Sequence, residues 1–258
     1  MITRIRTFLI LALLVGAFVG CTEHTQPDPQ PEEPEEPEEP IGNSIQPADF
    51  LSEEKYTQLI VEIVYIEGYE PTNTSKYHLL SLIDSRLHKK GVQIFAKSIP
   101  SPGEDDFSLE TLKIMEEAYR TNETSEQTLA VWIFVADGHY SGNKDDNKIL
   151  GLAYGPTSIA LFGKTIKDYT GGLNQPSAEV LESTVLMHEF CHLLGLVNNG
   201  TPMVTNHQDA AHGHHCSNQD CLMYYAAETN HFLTHFLWNT PPSLKDQCLQ
   251  DLKNNGGK

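Results

Sequence analysis

The pattern of apolar and polar positions predicts strands and helices in alternation through the first half of the folded region. Three apolar, β-branched segments are predicted as strands: 59–65, 92–96 and 129–136. The third is a nearly unbroken apolar run, which is typical of a central strand covered on both faces. Two segments with helical periodicity separate the strands, 74–89 with a cap at Thr74-Ser75 and 108–119 with a cap at Ser108. This order predicts an α/β sheet with parallel neighbours.

The second half continues with two apolar segments, 149–154 and 158–164, both predicted as strands. A helix is then predicted at 177–194, and a short last helix is predicted to begin near Ser243 and to end near residue 252. The helix at 177–194 is apolar on almost every side around residues 186–194. Because such a helix cannot face water, it is expected to run through the centre of the domain.

This central helix carries a metal-binding pattern, His188-Glu189-Phe190-Cys191-His192. Residues four apart lie on one helix face, so His188 and His192 can present their imidazoles to one ion. Glu189 lies close enough to polarise a water bound to that ion. The alternative is a core helix that happens to contain two histidines, but buried polar groups are costly without partners. The pattern therefore favours a metal site.

The extended motif His188-Glu189-x-x-His192-x-x-Gly195 resembles that of the metzincin metalloproteases, whose third ligand lies three residues after the glycine. That position is Asn198 here, and an amide is a weak zinc ligand. Residues 215–223 resemble the H-C-x-x-x-x-C-x-M continuation of the archaemetzincins, where the histidine is the third ligand. The resemblance therefore implies His215 as third ligand, delayed by an insertion at about 199–214.

Other ligand sets stay open. The insertion also carries His212, which ranks second as third ligand, and His207. A different class of zinc hydrolase, with a glutamate as third ligand, would use Glu228.

Three further roles follow from the resemblance. Met223 would form the methionine turn, an apolar floor beneath the metal. Tyr225, two residues later, would approach the zinc and stabilise the transition state. Residues 150–154 would be the antiparallel edge strand that binds an extended peptide by strand addition.

The function implied is that of a zinc-dependent endopeptidase with one catalytic ion, a zinc-activated water and Glu189 as general base. The fold implied is a metzincin-like domain with a mixed, mostly parallel sheet, an antiparallel edge strand and a central HExxH helix. Two alternatives from other classes are a zinc hydrolase of a non-peptide amide in cell-wall or glycan material, and a non-catalytic surface binding module with structural zinc. Four filled ligand positions would mark the binding module.

Cysteine spacing gives a further expectation. Cys216 and Cys221 are close enough for a small disulfide in an exported protein. In the archaemetzincins the equivalent cysteines help to bind a second zinc ion together with a later C-x-x-C, but here the downstream sequence contains only Cys248. Cys191 is expected to be a buried packing residue. Whether it pairs with Cys248 stays open.

The N-terminus has the pattern of an export signal. Arg4 and Arg6 precede an apolar run at 8–20, which is too short to span a bilayer comfortably. The run ends at Cys21 in a sequence that resembles a bacterial lipoprotein cleavage site, although Phe18 departs from the usual aliphatic residue. The resemblance implies a signal peptide at 1–21 and lipidation of Cys21. The alternative is ordinary secretion with a chance cysteine.

Residues 22–47 are rich in Pro and Glu and predict an extended, self-repelling spacer. Residues 48–258 then form one metallopeptidase domain, with 27 acidic and 15 basic residues. This acidic balance argues against nucleic acid or anionic membrane as a partner. The expected partner is a peptide or protein substrate, and membrane contact is expected only through the lipid anchor, at the bacterial outer membrane or cell surface.

Overall fold

The computed structural model of the protein describes residues 45–145, 147–231 and 239–258. The predicted signal peptide, Cys21 and the predicted spacer up to residue 44 lie outside this part of the chain. In chain order the elements are α1 (Pro47–Leu51), β1 (Gln58–Ile66), α2 (Asn73–Arg86), β2 (Gly91–Ile99), β3 (Asp106–Phe107), α3 (Leu109–Tyr119), β4 (Thr128–Ala136), β5 (His139–Tyr140), β6 (Gly151–Gly155), β7 (Ser158–Phe162), α4 (Gly163–Asp168), α5 (Ala178–Leu193), a 3-10 helix (Tyr225–Glu228) and α6 (Asp246–Asn254).

Five strands form one mixed sheet in the order β2-β1-β4-β7-β6. The first four run parallel, and β6 pairs antiparallel with β7 at one edge. A separate parallel pair joins β3 and β5. The mixed α/β fold, the mostly parallel sheet and the antiparallel edge strand predicted from the sequence are confirmed.

Two hydrophobic layers cover the sheet. Because side chains alternate along a strand, Val131 and Ile133 of β4 face one layer, and Trp132 and Phe134 face the other. The first layer contains the buried faces of α2, α5 and α6, and the second contains α3. The metal-motif helix α5 therefore lies against one face of the sheet, where twelve of its sixteen residues are buried.

Tertiary contacts set the ends of α2 differently from the prediction. Its cap is Thr72, whose side-chain oxygen accepts a hydrogen bond from the Ser75 amide at 3.1 Å. Glu182 of α5 fixes this start, since its carboxylate accepts from the amide of Thr72 at 2.8 Å and from the hydroxyl of Ser75. The predicted cap at Thr74-Ser75 is therefore wrong by two residues. The helix also ends earlier than predicted, at Arg86, and β2 begins at Gly91.

Three other boundaries shift. Strand β6 begins at Gly151, because Leu150 donates its amide to the Glu228 carbonyl at 2.8 Å and Ile149 bridges Thr229. Residues 163–164, predicted as strand, begin α4. The last helix begins at Asp246, not near Ser243. Within the described residues, the helices are all too short or too polar to cross a membrane.

Candidate metal centre

Helix α5 positions both histidines of the motif. The Ser177 side chain caps it by accepting a hydrogen bond from the Val180 amide at 3.2 Å. The helix stops before Gly195, whose φ of +71° is a left-handed conformation suited to glycine. His188 is fully buried and His192 is partly buried near the end of the last turn. Their Nε2 atoms lie 3.1 Å apart.

His215 joins these two residues from a distant loop. Its ring centroid lies 5.2 Å from that of His188 and 5.1 Å from that of His192. His188 donates from Nδ1 to the Leu222 carbonyl at 2.7 Å, and His215 donates from Nδ1 to the His212 carbonyl. A carbonyl can only accept, so each Nε2 keeps a lone pair directed at the centre of the cluster.

A carboxylate completes the group. The Nε2 atoms of His188, His192 and His215 lie with a carboxylate oxygen of Glu228 within 4.8 Å of one another. The Nε2 of His215 is buried and has no hydrogen-bond partner among the described residues. A buried nitrogen lone pair without a donor is costly unless a cation fills the centre. The donor set and the orphaned nitrogen both fit a zinc ion.

Glu189 lies beside this cluster in a position that the edge strand creates. Its Oε2 accepts a hydrogen bond from the Ala153 amide of β6 at 2.8 Å. Its buried Oε1 has no hydrogen-bond partner in the described part of the chain. A Cβ at Gly151 would lie 2.8 Å from Glu189 Cγ and 2.9 Å from Oε1. Gly151 and Ala153 therefore position Glu189, which the HExxH motif does not predict; the glycine at the start of an apolar strand is the available signal.

The electrostatics of the site follow from burial and from close charges. Burial raises the pKa of Glu189 well above its ordinary value, and the nearby Glu228 carboxylate adds to that shift. Burial lowers the pKa of His192, and the neighbouring His188 lowers it further. Burial alone would raise the pKa of Glu228, but the imidazoles of His188 and His215 outweigh burial and lower it.

The other predicted site residues lie around this cluster. Met223 is fully buried beside Leu222, whose carbonyl holds His188. Tyr225 stacks its ring on His212, with ring centroids 3.7 Å apart. His212 is exposed and bonds Asp209, so it lies outside the group formed by the other three histidines.

A second group of buried side chains could also hold a metal ion. His207, Cys216 and Cys248 are buried with their ligand atoms within 4.8 Å of one another, and Cys221 Sγ lies 3.6 Å from Cys248 Sγ. All the described cysteines are free thiols, so the expected disulfide between Cys216 and Cys221 is not formed. Cys221 instead shares contacts with two thiols, those of Cys216 and Cys248.

The geometry of the second cluster suits a structural metal ion. His207 Nε2 bonds Asp251 Oδ2 at 2.7 Å, which directs Nδ1 toward Cys216 Sγ at 3.3 Å. Hydrogen bonds from Cys216 and Cys248 lower the pKa of the Cys221 thiol to about 3. The sequence-based expectation of one catalytic ion gives no role to the group of His207, Cys216 and Cys248, which Cys221 adjoins. Cys191 lies apart from it, buried in the core as predicted.

A cleft of about 350 Å³ adjoins the first cluster. Its lining includes Ala153 and Gly155 of β6, His192, and the loop residues Asn199 and Gly200. Thus an open surface connects the edge strand with one of the three imidazoles. A larger cavity, about 410 Å³, lies beside β5 and α4, and its lining contains no residue of the first cluster.

Similarity to known proteins is found among solved structures. No protein-family model matches the chain, and no curated protein matches its sequence. Among solved structures, archaemetzincin from Methanopyrus kandleri is similar at 13% identity, with a TM-score of 0.48, over 77% of this chain and 96% of that chain. Metalloproteinase-II from Bacteroides fragilis is similar at 14% identity, with a TM-score of 0.41, over 83% of this chain and 58% of that chain.

Proposed function

We propose that the protein is a zinc-dependent endopeptidase. The observation that carries the proposal is the convergence of His188, His192 and His215, with Glu189 beside them. Three imidazoles with a neighbouring carboxylate are the donor set of catalytic zinc sites that hydrolyse amides. Zinc, when bound, acts as a Lewis acid that acidifies a water molecule and polarises the scissile carbonyl.

Glu189 would be the general base. The Ala153 amide holds its Oε2, which leaves Oε1 to take a proton from the attacking water and to deliver it to the leaving amine. Burial raises the pKa of Glu189, so the carboxylate is a stronger base for the first transfer, from the attacking water. Tyr225 keeps its proposed role as a phenol that donates to the oxyanion, on the resemblance alone.

The substrate would lie along β6 as an additional strand. The cleft beside Ala153, Gly155 and His192 provides the space next to the imidazoles. An edge strand offers backbone groups to an extended peptide, which accounts for an endopeptidase rather than an enzyme specific for chain ends. Anchoring to the bacterial cell envelope through Cys21 remains part of the proposal, on the N-terminal sequence alone.

A second, structural zinc is proposed for the cluster of His207, Cys216, Cys221 and Cys248. Four filled positions of N and S ligands are typical of structural zinc sites. This ion would join the loop of the third histidine to α6, which carries Cys248.

One observation favours the rival function, a binding module without catalysis. Glu228 adds a fourth protein donor to the three imidazoles, and a site with four protein ligands has no open position. With zinc bound, an endopeptidase would cleave peptides and a binding module would not.

The test is a cleavage profile of the full-length chain on a peptide library, with and without bound zinc. We expect internal cleavage that disappears after chelation and returns with added zinc. Zinc binding by the chain and by Glu228→Ala without cleavage of any peptide by either would instead support the binding module.

A further inference from the structure

Glu228 lies where a fourth ligand of the first cluster would lie. Its Oε2 is 3.6 Å from His188 Nε2 and 3.8 Å from His192 Nε2, and its Oε1 is 3.3 Å from His215 Nε2. The corners of a tetrahedron around zinc, with bonds of about 2.0–2.2 Å, are roughly 3.3–3.6 Å apart. The Nε2 atoms of His188 and His192, 3.1 Å apart, have nearly the same spacing.

These distances differ from those of histidine–carboxylate hydrogen bonds in the same protein. His207 bonds Asp251 at 2.7 Å, and His212 bonds Asp209 at 2.7 Å. A direct charge-assisted hydrogen bond has about this length. The Glu228 contacts are longer by 0.6 to 1.1 Å. These longer distances match the spacing of co-ligands around a shared centre.

The backbone holds Glu228 firmly in this place. Its carbonyl accepts from the Leu150 amide at 2.8 Å, and Thr229 bridges Ile149. Lys148 and Asn230 exchange two further hydrogen bonds, of 3.0 Å between backbones and 2.9 Å from the Lys148 amide to Asn230 Oδ1. The segment 228–230 thus extends the edge strand that would receive the substrate, and it directs the Glu228 side chain toward the three imidazoles.

We propose that Glu228 is a fourth protein ligand that closes the resting metal centre. The inference rests on the proposed function and adds its regulation. The carboxylate occupies the position that an outside ligand or a substrate carbonyl would need. A substrate must therefore displace Glu228, and strand addition at β6 would act directly beside residues 148–150, the backbone that holds this residue.

The test measures metal binding by the full-length chain, apart from turnover. We compare wild type, Glu228→Ala, and Glu117→Ala, which removes an exposed carboxylate on the opposite layer. A further variant, His188→Ala, identifies the ion bound at the first cluster, since it should lose that ion. Loss of a ligand should weaken zinc binding at that site at least about ten-fold in a chelator competition. With cobalt in place of zinc, azide should change the visible spectrum of Glu228→Ala at far lower concentration than that of wild type.

The outcomes separate the two proposals. Wild-type affinity and a wild-type azide response in Glu228→Ala would overturn the fourth-ligand inference and leave the endopeptidase proposal intact. A wild-type chain that binds no ion dependent on His188 would overturn both. Glu228→Gln preserves the volume of the side chain, so it gives the same comparison if Glu228→Ala fails to fold. A faster peptide turnover in the variants would further support closure by Glu228.

Discussion

At the residue scale, the chemistry depends on where Glu189 is held. The Ala153 amide holds one oxygen of the carboxylate, and the missing side chain of Gly151 leaves room for the other. This arrangement needs a strand and a helix to meet at close range. The HExxH pattern identifies the base, but it contains no information about the strand that orients it.

Gly151→Ala should therefore impair catalysis without removing the metal. The new methyl would meet Glu189 Cγ at 2.8 Å and Val185 Cγ1 at 2.5 Å, so the carboxylate has to move. A displacement of about 1 Å can lower turnover by roughly a hundred-fold. Peptide turnover and zinc content, measured on the same preparation, check this.

The double variant Gly151→Ala, Val185→Ala is the control. It removes the contact with Val185 but keeps the contact with Glu189, so stability should recover while turnover stays low. Recovery of turnover in the double variant would show that Gly151 serves packing rather than the position of Glu189.

At the scale of elements, the sequence predicted what local pattern determines. The unbroken apolar run predicts β4, and the Ser108 cap predicts the start of α3. It missed what distant partners determine, such as the start of α2 at the Glu182 carboxylate. The sequence alone leaves His215 and Glu228 as alternative ligands, because only the fold brings both residues to one centre.

The buried carboxylate of Glu62 joins the parallel strands to the loop after α3. Glu62 of β1 is nearly buried, and it lies 2.8 Å from Lys97 of β2. Burial alone would raise its pKa, but hydrogen bonds from Lys97 and Thr121 outweigh burial and lower the pKa from 4.5 to about 2. Because the unfolded chain binds the proton more tightly, this pair stabilises the fold above pH 4.5 and loses its effect as the pH falls toward 2.

Glu62→Gln should lower the free energy of unfolding at pH 7 by about 3 kcal/mol. Between pH 4.5 and pH 2, the free energy of unfolding of this variant should fall less than that of wild type. Urea unfolding across this pH range measures both effects. Glu53→Gln is the matched control, because its ion pair with Lys90 is exposed and should contribute less than about 1 kcal/mol. Equal stability of the two variants at pH 7 would contradict this account of Glu62.

At the scale of the whole molecule, two clusters share one segment of chain. Residues 207–228 supply His215 and Glu228 to the first cluster and His207, Cys216 and Cys221 to the second. The second cluster fastens this segment to α6 through Cys248, and Asp251 of the same helix orients His207. A structural ion there would therefore stabilise the segment that carries His215, the third histidine of the first cluster.

Cys248→Ser should lose one of two bound zinc ions and should lower the thermal midpoint of the full-length chain. Cys191→Ser is the matched control, since Cys191 is buried but lies outside both groups. It should keep both ions. Elemental analysis of the two variants gives the zinc content, and two ions retained in Cys248→Ser would refute a structural zinc at this cluster.

The most direct test of the central proposal is turnover by Glu189→Ala at full zinc occupancy. Glu189 is not one of the grouped ligands, so the variant should bind zinc as tightly as wild type. Loss of the general base should lower peptide turnover at least about a hundred-fold. A Glu189→Ala chain that keeps its zinc and cleaves peptides at the wild-type rate would contradict the mechanism.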